Sequence, residues 1–306
     1  MKTLKIATRQ SPLALWQAEH VKQQLQAAHQ GLEVELVGMT TAGDRFLEAP
    51  LVQAGGKGLF IKELEQAIIQ GEAHIAVHSM KDVTIDMPEG FVLPVIMQRE
   101  DVHDVLISNH YNSISDIPEE GIVGTSSLRR QSQLRAFRPD IKIHDLRGNV
   151  GTRLSKLDAD EYDAIILAAA GVIRLGMQDR IAQFIPINNI LPAIGQGAIG
   201  IECLQEAEDV LELIAPLNDE DTQCCVETER AMSRCLYGGC QLPIAGQATM
   251  ENDVVTLSGI VARVDGTEII KSSLSGPRKD AQLIGHEVGE RLLANGAEEI
   301  LKAVLC

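Results

Sequence analysis

Apolar residues in the first part of the chain switch between two periods. Leu4 to Thr8 reads as a short strand, Pro12 to His29 has the three-to-four-residue spacing of a helix, and Leu32 to Val37 alternates like a half-buried strand. A long glycine-bearing stretch from Thr40 to Gly58 interrupts this, followed by a helical segment from Leu59 to Ile69 and a strand at Ile75 to Val77. Near Asp104 the alternation restarts, with strands at Val105 to Ser108, Ile122 to Gly124, Ile141 to Asp145 and Ala164 to Ala168. Helices open near Ser127 and Val150. Strand and helix in turn predict an α/β fold, and the restart predicts a second α/β domain.

After Leu217 the pattern changes. The acidic start N-D-E-D leads into a helix whose apolar set includes Cys224, Thr228, Ala231, Met232 and Cys235. Strands at Val254 to Val264 and Glu268 to Leu274 precede a helix from Asp280 to Ala294, which predicts a smaller α+β C-terminal domain. No internal repeat or low-complexity segment is evident.

With 306 residues, 45% hydrophobic and 23% charged, the chain can bury the core of a soluble protein with two or three domains. A net charge of −16 with 3% aromatic residues supplies neither the diffuse positive field nor the stacking platform of a nucleic-acid binder. Its basic residues therefore read as local pockets. The first segment reaches Arg9 before any apolar run long enough for a signal peptide, and no later run approaches a membrane span, so a cytoplasmic protein with no membrane partner is expected. All six cysteines lie from Cys203 onward without C-x-x-C spacing, and a reducing compartment argues against a disulfide framework.

Against the acidic background, arginines gather beside glycines and small hydroxyl residues at loop-to-helix junctions. G-T-S-S-L-R-R-Q from Gly124 to Gln131 and L-R-G-N-V-G-T-R-L from Leu146 to Leu154 are the clearest cases. A helix N-terminus carries partial positive charge, so Arg129 and Arg130 in a first turn are unfavourable unless an anion is present. Arg9 with Ser11 after the first strand, and Arg147 with Arg153, occupy equivalent junctions, which points to an anionic ligand. H-S-M-K-D-V, His78 to Val83, places Lys81 and Asp82 at a strand's carboxyl end, where α/β folds bind ligands. Taken alone, that pair reads equally well as a surface ion pair.

Other motifs have ordinary readings. G-Q-G-A-I-G from Gly195 to Gly200 matches the dinucleotide pattern, but a proline precedes it and a strand-like I-G-I-E-C-L follows, so an interdomain crossover is the better reading. G-G-K-G from Gly55 to Gly58 lacks the spacing of a nucleotide P-loop and reads as a mobile loop that also covers a site. His74 and His78 flank a strand-like I-A-V, where residues four apart stand about 13 Å apart and share no metal ion. No other His, Cys or carboxylate cluster has metal-ligand spacing, and no metal is expected. Cys240, after two glycines, reads by default as a small buried loop cysteine.

Taken together, A-T-R-Q-S-P-L-A-L-W-Q-A from Ala7, G-G-K-G-L-F-I-K-E-L-E from Gly55, H-S-M-K-D-V, G-T-S-S-L-R-R-Q, L-R-G-N-V-G-T-R-L, L-P-A-I-G-Q-G from Leu191 and G-G-C-Q-L-P from Gly238 closely resemble the porphobilinogen deaminase family, also called hydroxymethylbilane synthase. The resemblance implies a transferase of tetrapyrrole and haem biosynthesis. Such an enzyme joins four porphobilinogen molecules head to tail with release of ammonia, on a covalent dipyrromethane cofactor, and then frees the linear tetrapyrrole by hydrolysis. It implies that Cys240 carries the cofactor through a thioether and that Asp82 is the central acid/base. Arg9, Ser11, Lys81, Thr125, Ser127, Arg129, Arg130, Arg147 and Arg153 would bind cofactor and substrate carboxylates, assisted by Arg174 and Gln196, with Lys57 in the mobile loop.

The resemblance further implies two periplasmic-binding-protein-like α/β lobes plus the α+β domain: residues 1–98 with 197–216, residues 99–196, and residues 217–306. No coiled-coil seam is displayed, so a monomer is expected, and its product is expected to pass to the next enzyme of the pathway. One departure is Gln53, where some members carry lysine, which leaves that position's part in anion binding open. Two other readings compete. An anion-binding or sensor protein on the two-lobed scaffold explains the arginines but not Asp82, Cys240 or the third domain. An NAD-dependent dehydrogenase would rest on Gly195, Gly197 and Gly200 alone.

Overall fold

The first elements show how local chemistry sets their limits. Strand β1 (Thr3–Arg9) buries Leu4, Ile6 and Ala7 completely and runs into Ser11, whose Oγ accepts the Ala14 N–H at 3.4 Å. Pro12 follows at the first helical position, where its fixed φ and missing N–H suit a helix start, and α1 (Pro12–Ala28) begins there. The computed structural model describes residues 2–41, 61–238 and 242–305.

Along the chain come β2 (Glu33–Met39), α2 (Lys62–Ile69), β3 (Ile75–Ser79), β4 (Phe91–Ile96), β5 (Asp104–Ile107), β6 (Ile122–Gly124), α3 (Leu128–Phe137), β7 (Lys142–His144) and α4 (Val150–Asp158). Then follow β8 (Ala164–Ala168), α5 (Ala169–Arg174), β9 (Gln183–Phe184), β10 (Ile199–Leu204), α6 (Glu208–Ile214) and α7 (Glu220–Cys235). The chain ends with β11 (Ile244–Glu251), β12 (Val254–Ala262), β13 (Ile269–Pro277), α8 (Ala281–Leu292) and α9 (Glu298–Leu305). Two compact units divide it: Met1–Arg99 with Ala198–Gln223, and Glu100–Gly197 with Cys224–Cys306.

In the first unit the sheet order is β2-β1-β3-β10-β4. β1 runs parallel to β2 and β3, while the returning β10 is antiparallel to β3 and β4. One face packs on α1 and α6 through Ala18, Val21, Leu25, Val210 and Ile214, the other on α2 through Leu64, Ala67 and Ile68. No strand is read from the sequence at β4, whose apolar run contains Pro94. Its place at the sheet edge is what lets a proline be there, since an edge strand can leave one N–H side unpaired.

The second unit holds a sheet of order β7-β6-β8-β5-β9 and an antiparallel meander, β11-β12-β13. Leu154 and Leu157 of α4 and Val172 of α5 pack one face of the larger sheet, and Leu134 of α3 packs the other. α7, α8 and α9 bury Met232, Val288 and Leu301 in the core of the meander. The architecture is thus mixed α/β with a smaller helix-and-sheet domain at the C-terminal end. The G-Q-G-A-I-G segment opens β10, not a helix, and turns through Gly195 and Gly197 at φ 71° and 88°.

α7 and α8 approach closely because Gly285 has no side chain: a Cβ there would stand 2.3 Å from the Thr228 carbonyl oxygen and 2.7 Å from the Ala231 Cβ. Helix propensity alone favours alanine by about 1 kcal/mol. Overpacking against a backbone atom that cannot rotate away costs about 1–3 kcal/mol, so Gly285→Ala is expected to lower stability in urea titration. A stabilised variant would contradict this packing.

Candidate active site

In the first unit, β1 and β3 are parallel neighbours and end at the same edge of the sheet. Arg9 closes β1, Ser11 caps α1, and Ser79 closes β3 before a 3-10 turn, Met80–Asp82, that carries Lys81 and Asp82. Arg9, Ser11 and Asp82 line one small cavity of about 70 Å³ together with Gln17 and His78. Gln17 is buried in α1 and donates from Nε2 to Ser79 Oγ at 2.8 Å. His78 Nε2 lies 2.7 Å from Glu202 Oε2, whereas His74 Nδ1 accepts the Lys5 N–H at 2.9 Å. The two histidines thus have separate partners, and burial followed by Lys5 pushes the His74 imidazole down.

A larger cavity of about 500 Å³ in the second unit is lined by Arg135, Arg263, Asp265 and the apolar Ile300 and Val304. It contains no sequence-predicted site residue. Of these two, the smaller cavity is the better candidate, because in it a carboxylate shares a wall with an arginine, a hydroxyl and an imidazole.

In the second unit the anion expected beside Arg129 and Arg130 comes from the chain itself. Asp104, fully buried at the start of β5, accepts Arg129 Nη1 at 2.7 Å on Oδ2, and Arg130 Nε and Nη2 at 3.1 and 2.7 Å on Oδ1. Gln196 Nε2 adds a bond to Oδ1 at 3.0 Å and another to the Val102 carbonyl at 2.7 Å. Burial pushes the Asp104 carboxyl up, but Arg129 and then Arg130 overcome it and hold the group well below the usual carboxylate range. Arg129 also donates to the Leu191 carbonyl and Arg130 to that of Ile166. Two guanidiniums against one carboxylate leave a buried net charge of one positive unit.

The remaining predicted residues surround two helix starts. Thr125 Oγ1 accepts the Ser127 N–H at 3.3 Å, and Ser127 takes the N-cap position of α3 without a side-chain capping bond. Asn149 caps α4 by accepting the Thr152 N–H at 2.9 Å, with Arg147 before the cap and Arg153 within the helix. Arg147 stands 3.9 Å from Asp145, and Arg153 Nε donates to the Gly148 carbonyl at 2.8 Å. Arg174 ends α5 and donates to the Gly197 carbonyl at 2.6 Å; burial pushes its guanidinium down to about 10, with Glu100 opposing. Lys57 with Gly55 to Gly58, Gln53 and Cys240 lie outside the described residues.

Sequence reasoning missed Asp104, Gln17 and the His78–Glu202 contact. Each left a trace: a charged or amide residue inside an otherwise apolar strand or helix face. It also missed Cys235, His286 and Glu290, whose ligand atoms lie within 4.8 Å of one another because α7 and α8 approach so closely. Cys203, Cys224, Cys225 and Cys235 are free thiols, and burial, then Glu202, pushes Cys203 up to about 11. No helix among the described residues is long and apolar enough to cross a membrane.

A carboxylate at a sheet's carboxyl edge beside Arg9 and Ser11 in the first unit, and guanidinium charge in excess of carboxylate in the second, are each suited to anionic ligands. The family model described as "Porphobilinogen deaminase, dipyromethane cofactor binding domain" matches residues 4–212, and "Porphobilinogen deaminase, C-terminal domain" matches residues 223–294. The chain belongs to the porphobilinogen deaminase family. Its activity is that of a hydroxymethylbilane synthase, a transferase of tetrapyrrole biosynthesis that polymerises porphobilinogen with a dipyrromethane cofactor.

Solved structures of low identity also match. The VFT2 domain of Bordetella pertussis BvgS is 15% identical, with 70% of this chain and 85% of that one covered and a TM-score of 0.44. A nutrient binding protein from Burkholderia cenocepacia bound to methionine is 12% identical, with 69% and 89% covered and a TM-score of 0.43. A periplasmic substrate-binding protein of an ABC transporter from Coxiella burnetii is 12% identical, with 70% and 91% covered and a TM-score of 0.45.

Removing the Asp104 charge leaves two buried guanidiniums uncompensated. Asp104→Asn is therefore expected to cost about 3–5 kcal/mol of stability near neutral pH, measured by urea unfolding. The folded-state carboxyl titrates below the unfolded value of about 3.9, so the unfolded chain binds more protons in between. The contribution of Asp104 is complete above that unfolded value and is lost as pH falls toward the folded one, so the gap between wild type and variant should narrow below about pH 4. A gap that stays constant with acidification would show that the Asp104 charge is not its source.

Proposed function

We propose that Asp82 is the acid/base of the porphobilinogen condensation and that Cys240 carries the dipyrromethane through a thioether. The observation that supports Asp82 is its place in one cavity with Arg9 and Ser11, where a carboxylate, a guanidinium and a hydroxyl converge. Loss of ammonia from the aminomethyl group requires a proton at the departing amine and leaves positive charge that the pyrrole nitrogen stabilises. Asp82 in its acid form donates that proton, and the resulting carboxylate pairs with the developing cation. The dipyrromethane, when bound, supplies the free pyrrole α-carbon from which the chain grows. After the carbon–carbon bond forms, the Asp82 carboxylate takes the α-proton, which restores aromaticity and returns the acid form for the next cycle.

The donor set suits a cofactor and product rich in carboxylates. Arg129 makes both of its hydrogen bonds to described residues through Nη1, whereas Arg130 commits all three of its nitrogens to Asp104 and the Ile166 carbonyl. Arg129 is thus the member of the pair with donors to offer a ligand, while Arg130 chiefly holds Asp104 in place. Arg9, Ser11, Lys57, Lys81, Thr125, Ser127, Arg147, Arg153, Arg174 and Gln196 complete the proposed carboxylate-binding set. Planar guanidiniums can clamp carboxylates through two parallel bonds. Division into three domains, a monomeric state, a cytoplasmic location and hand-off of the product to the next pathway enzyme belong to the same reading, carried from the sequence.

The test is the intact mass of freshly purified wild type and Cys240→Ser, each with and without porphobilinogen. Wild type is expected to carry an excess of two pyrrole units that grows by whole pyrrole steps, and the variant to carry none. A wild type still unmodified after porphobilinogen is supplied would remove the covalent assignment. Asp82→Asn should fold normally by circular dichroism yet lose turnover by about 100-fold or more, as expected for loss of a general acid–base group; wild-type turnover would refute its role.

A further inference from the structure

The strand that leads to Asp82 is held from both faces by side chains that the condensation chemistry does not use. β3 and β10 pair antiparallel, with His78 opposite Gly200 and Ala76 opposite Glu202, so His78 and Glu202 are diagonal neighbours on one face. That is the face Ala76 presents to α2. The Nε2 to Oε2 distance is 2.7 Å, with side-chain exposures of 6% and 1%. Ser79, the next residue, points to the opposite face, where Gln17 Nε2 donates to its Oγ at 2.8 Å. Two successive residues are therefore anchored on opposite sides of the sheet, directly before the turn that carries Lys81 and Asp82.

Glu202 is an expensive residue to keep here. Its Oε1 is buried and has no hydrogen-bond partner among the described residues. Glu65 of α2 faces the same pair; burial and then Glu202 push its carboxyl up, while His78 and Lys62 pull it down. Apolar side chains of similar volume often replace a buried ionic pair without loss of stability, so packing alone does not account for a carboxylate with one hydrogen bond to the described residues. What the carboxylate does achieve is orientation. A carboxylate only accepts, so when ionised it places the hydrogen on Nε2, which fixes both the tautomer and the ring plane of His78. His78 in turn forms part of the wall of the cavity that holds Asp82, Arg9 and Ser11.

We propose that Glu202 is a positioning residue for the condensation, acting through His78: it fixes the imidazole in the cavity wall and with it the end of β3 that carries Asp82. The inference rests on the reading of Asp82 as the acid/base. Misplacement of a proton-transfer group by a fraction of an ångström to an ångström slows chemistry without unfolding the protein.

The experiment is a rapid-quench single turnover of the holoenzyme with porphobilinogen, read by intact mass. Its rate constant reports the chemistry of the first pyrrole addition, and its amplitude reports the fraction of folded, loaded enzyme. Glu202→Leu is expected to lower the rate constant about 10- to 100-fold with the amplitude retained. Glu202→Gln keeps an acceptor oxygen for Nε2–H and should recover most of the rate. A double variant, His78→Leu with Glu202→Leu, replaces the buried pair with apolar residues and guards against failure of the single variant to fold. Its rate constant should fall no further than that of Glu202→Leu, since both residues act in one path.

Wild-type rate constants in the loaded fraction of the leucine variants would overturn the proposal, as would a loss confined to amplitude, or rate losses that add in the double variant. Asp82→Asn run in parallel separates the two readings. If it stops the reaction and Glu202→Leu does not, only the positioning role fails; if Asp82→Asn also reacts at the wild-type rate, the Asp82 reading itself fails.

Discussion

A carboxylate with no access to water, Asp104, is held between two guanidiniums that are themselves buried, and the central part of the second unit is organised around it. The cluster joins the start of β5, the first turn of α3 and the segment after Leu191 that leads to β10. Gln133 reinforces the last of these by donating to the Leu191 carbonyl at 3.1 Å and accepting the Leu191 N–H at 2.7 Å. Further along, Glu229 of α7, also fully buried, accepts the Gly195 N–H at 2.7 Å and the Ala248 N–H at 2.8 Å. The glycine-rich segment is thus held by fixed acceptors and donors even though it has no regular secondary structure of its own. Such an arrangement tolerates no missing member, because each loss leaves an uncompensated charge or polar atom away from water.

The same cluster gives the second unit its electrostatic character. One carboxylate cannot neutralise two guanidiniums, so positive charge stays in a place where the surrounding dielectric is low and the donors cannot reorient. Donors held in place before any ligand arrives avoid the cost of ordering long flexible side chains. In a chain of net charge −16, this cluster is a local excess of positive charge held in place by its partners.

The first unit solves a different problem, the placement of the Asp82 carboxylate. Asp82 is on a short 3-10 turn, which by itself is a weakly constrained element. Its constraint comes from the strand before it: backbone pairing of β3 with β1 and β10, the Gln17 to Ser79 bond on one face, and the His78 to Glu202 contact on the other. Rigid strands that carry functional groups at their carboxyl ends are how α/β folds combine precision with exposure of the reactive atom.

Much of this was legible in one dimension where the cause is local. The period of apolar residues marks β1, α1 and β8; Ser11 followed by Pro12 marks a helix start; and arginines beside small hydroxyl residues mark junctions that call for an anion. The ordered motifs, read together, already resembled the family to which the chain belongs. β4 was not legible, because whether Pro94 is tolerated depends on β4 being an edge strand, which is a property of the sheet. Nor was Asp104 legible as the partner of Arg129 and Arg130, or Glu202 as that of His78, since these pairs are 25, 26 and 124 residues apart. Sequence by itself determined the α/β alternation, the helix starts and the gathering of arginines at junctions, because propensity, capping and charge act over a few neighbouring residues. Only the tertiary structure decided which carboxylate pairs with Arg129 and Arg130 and which side chains hold the strand before Asp82, because burial and pairing across a sheet depend on contacts that neighbours in sequence do not make.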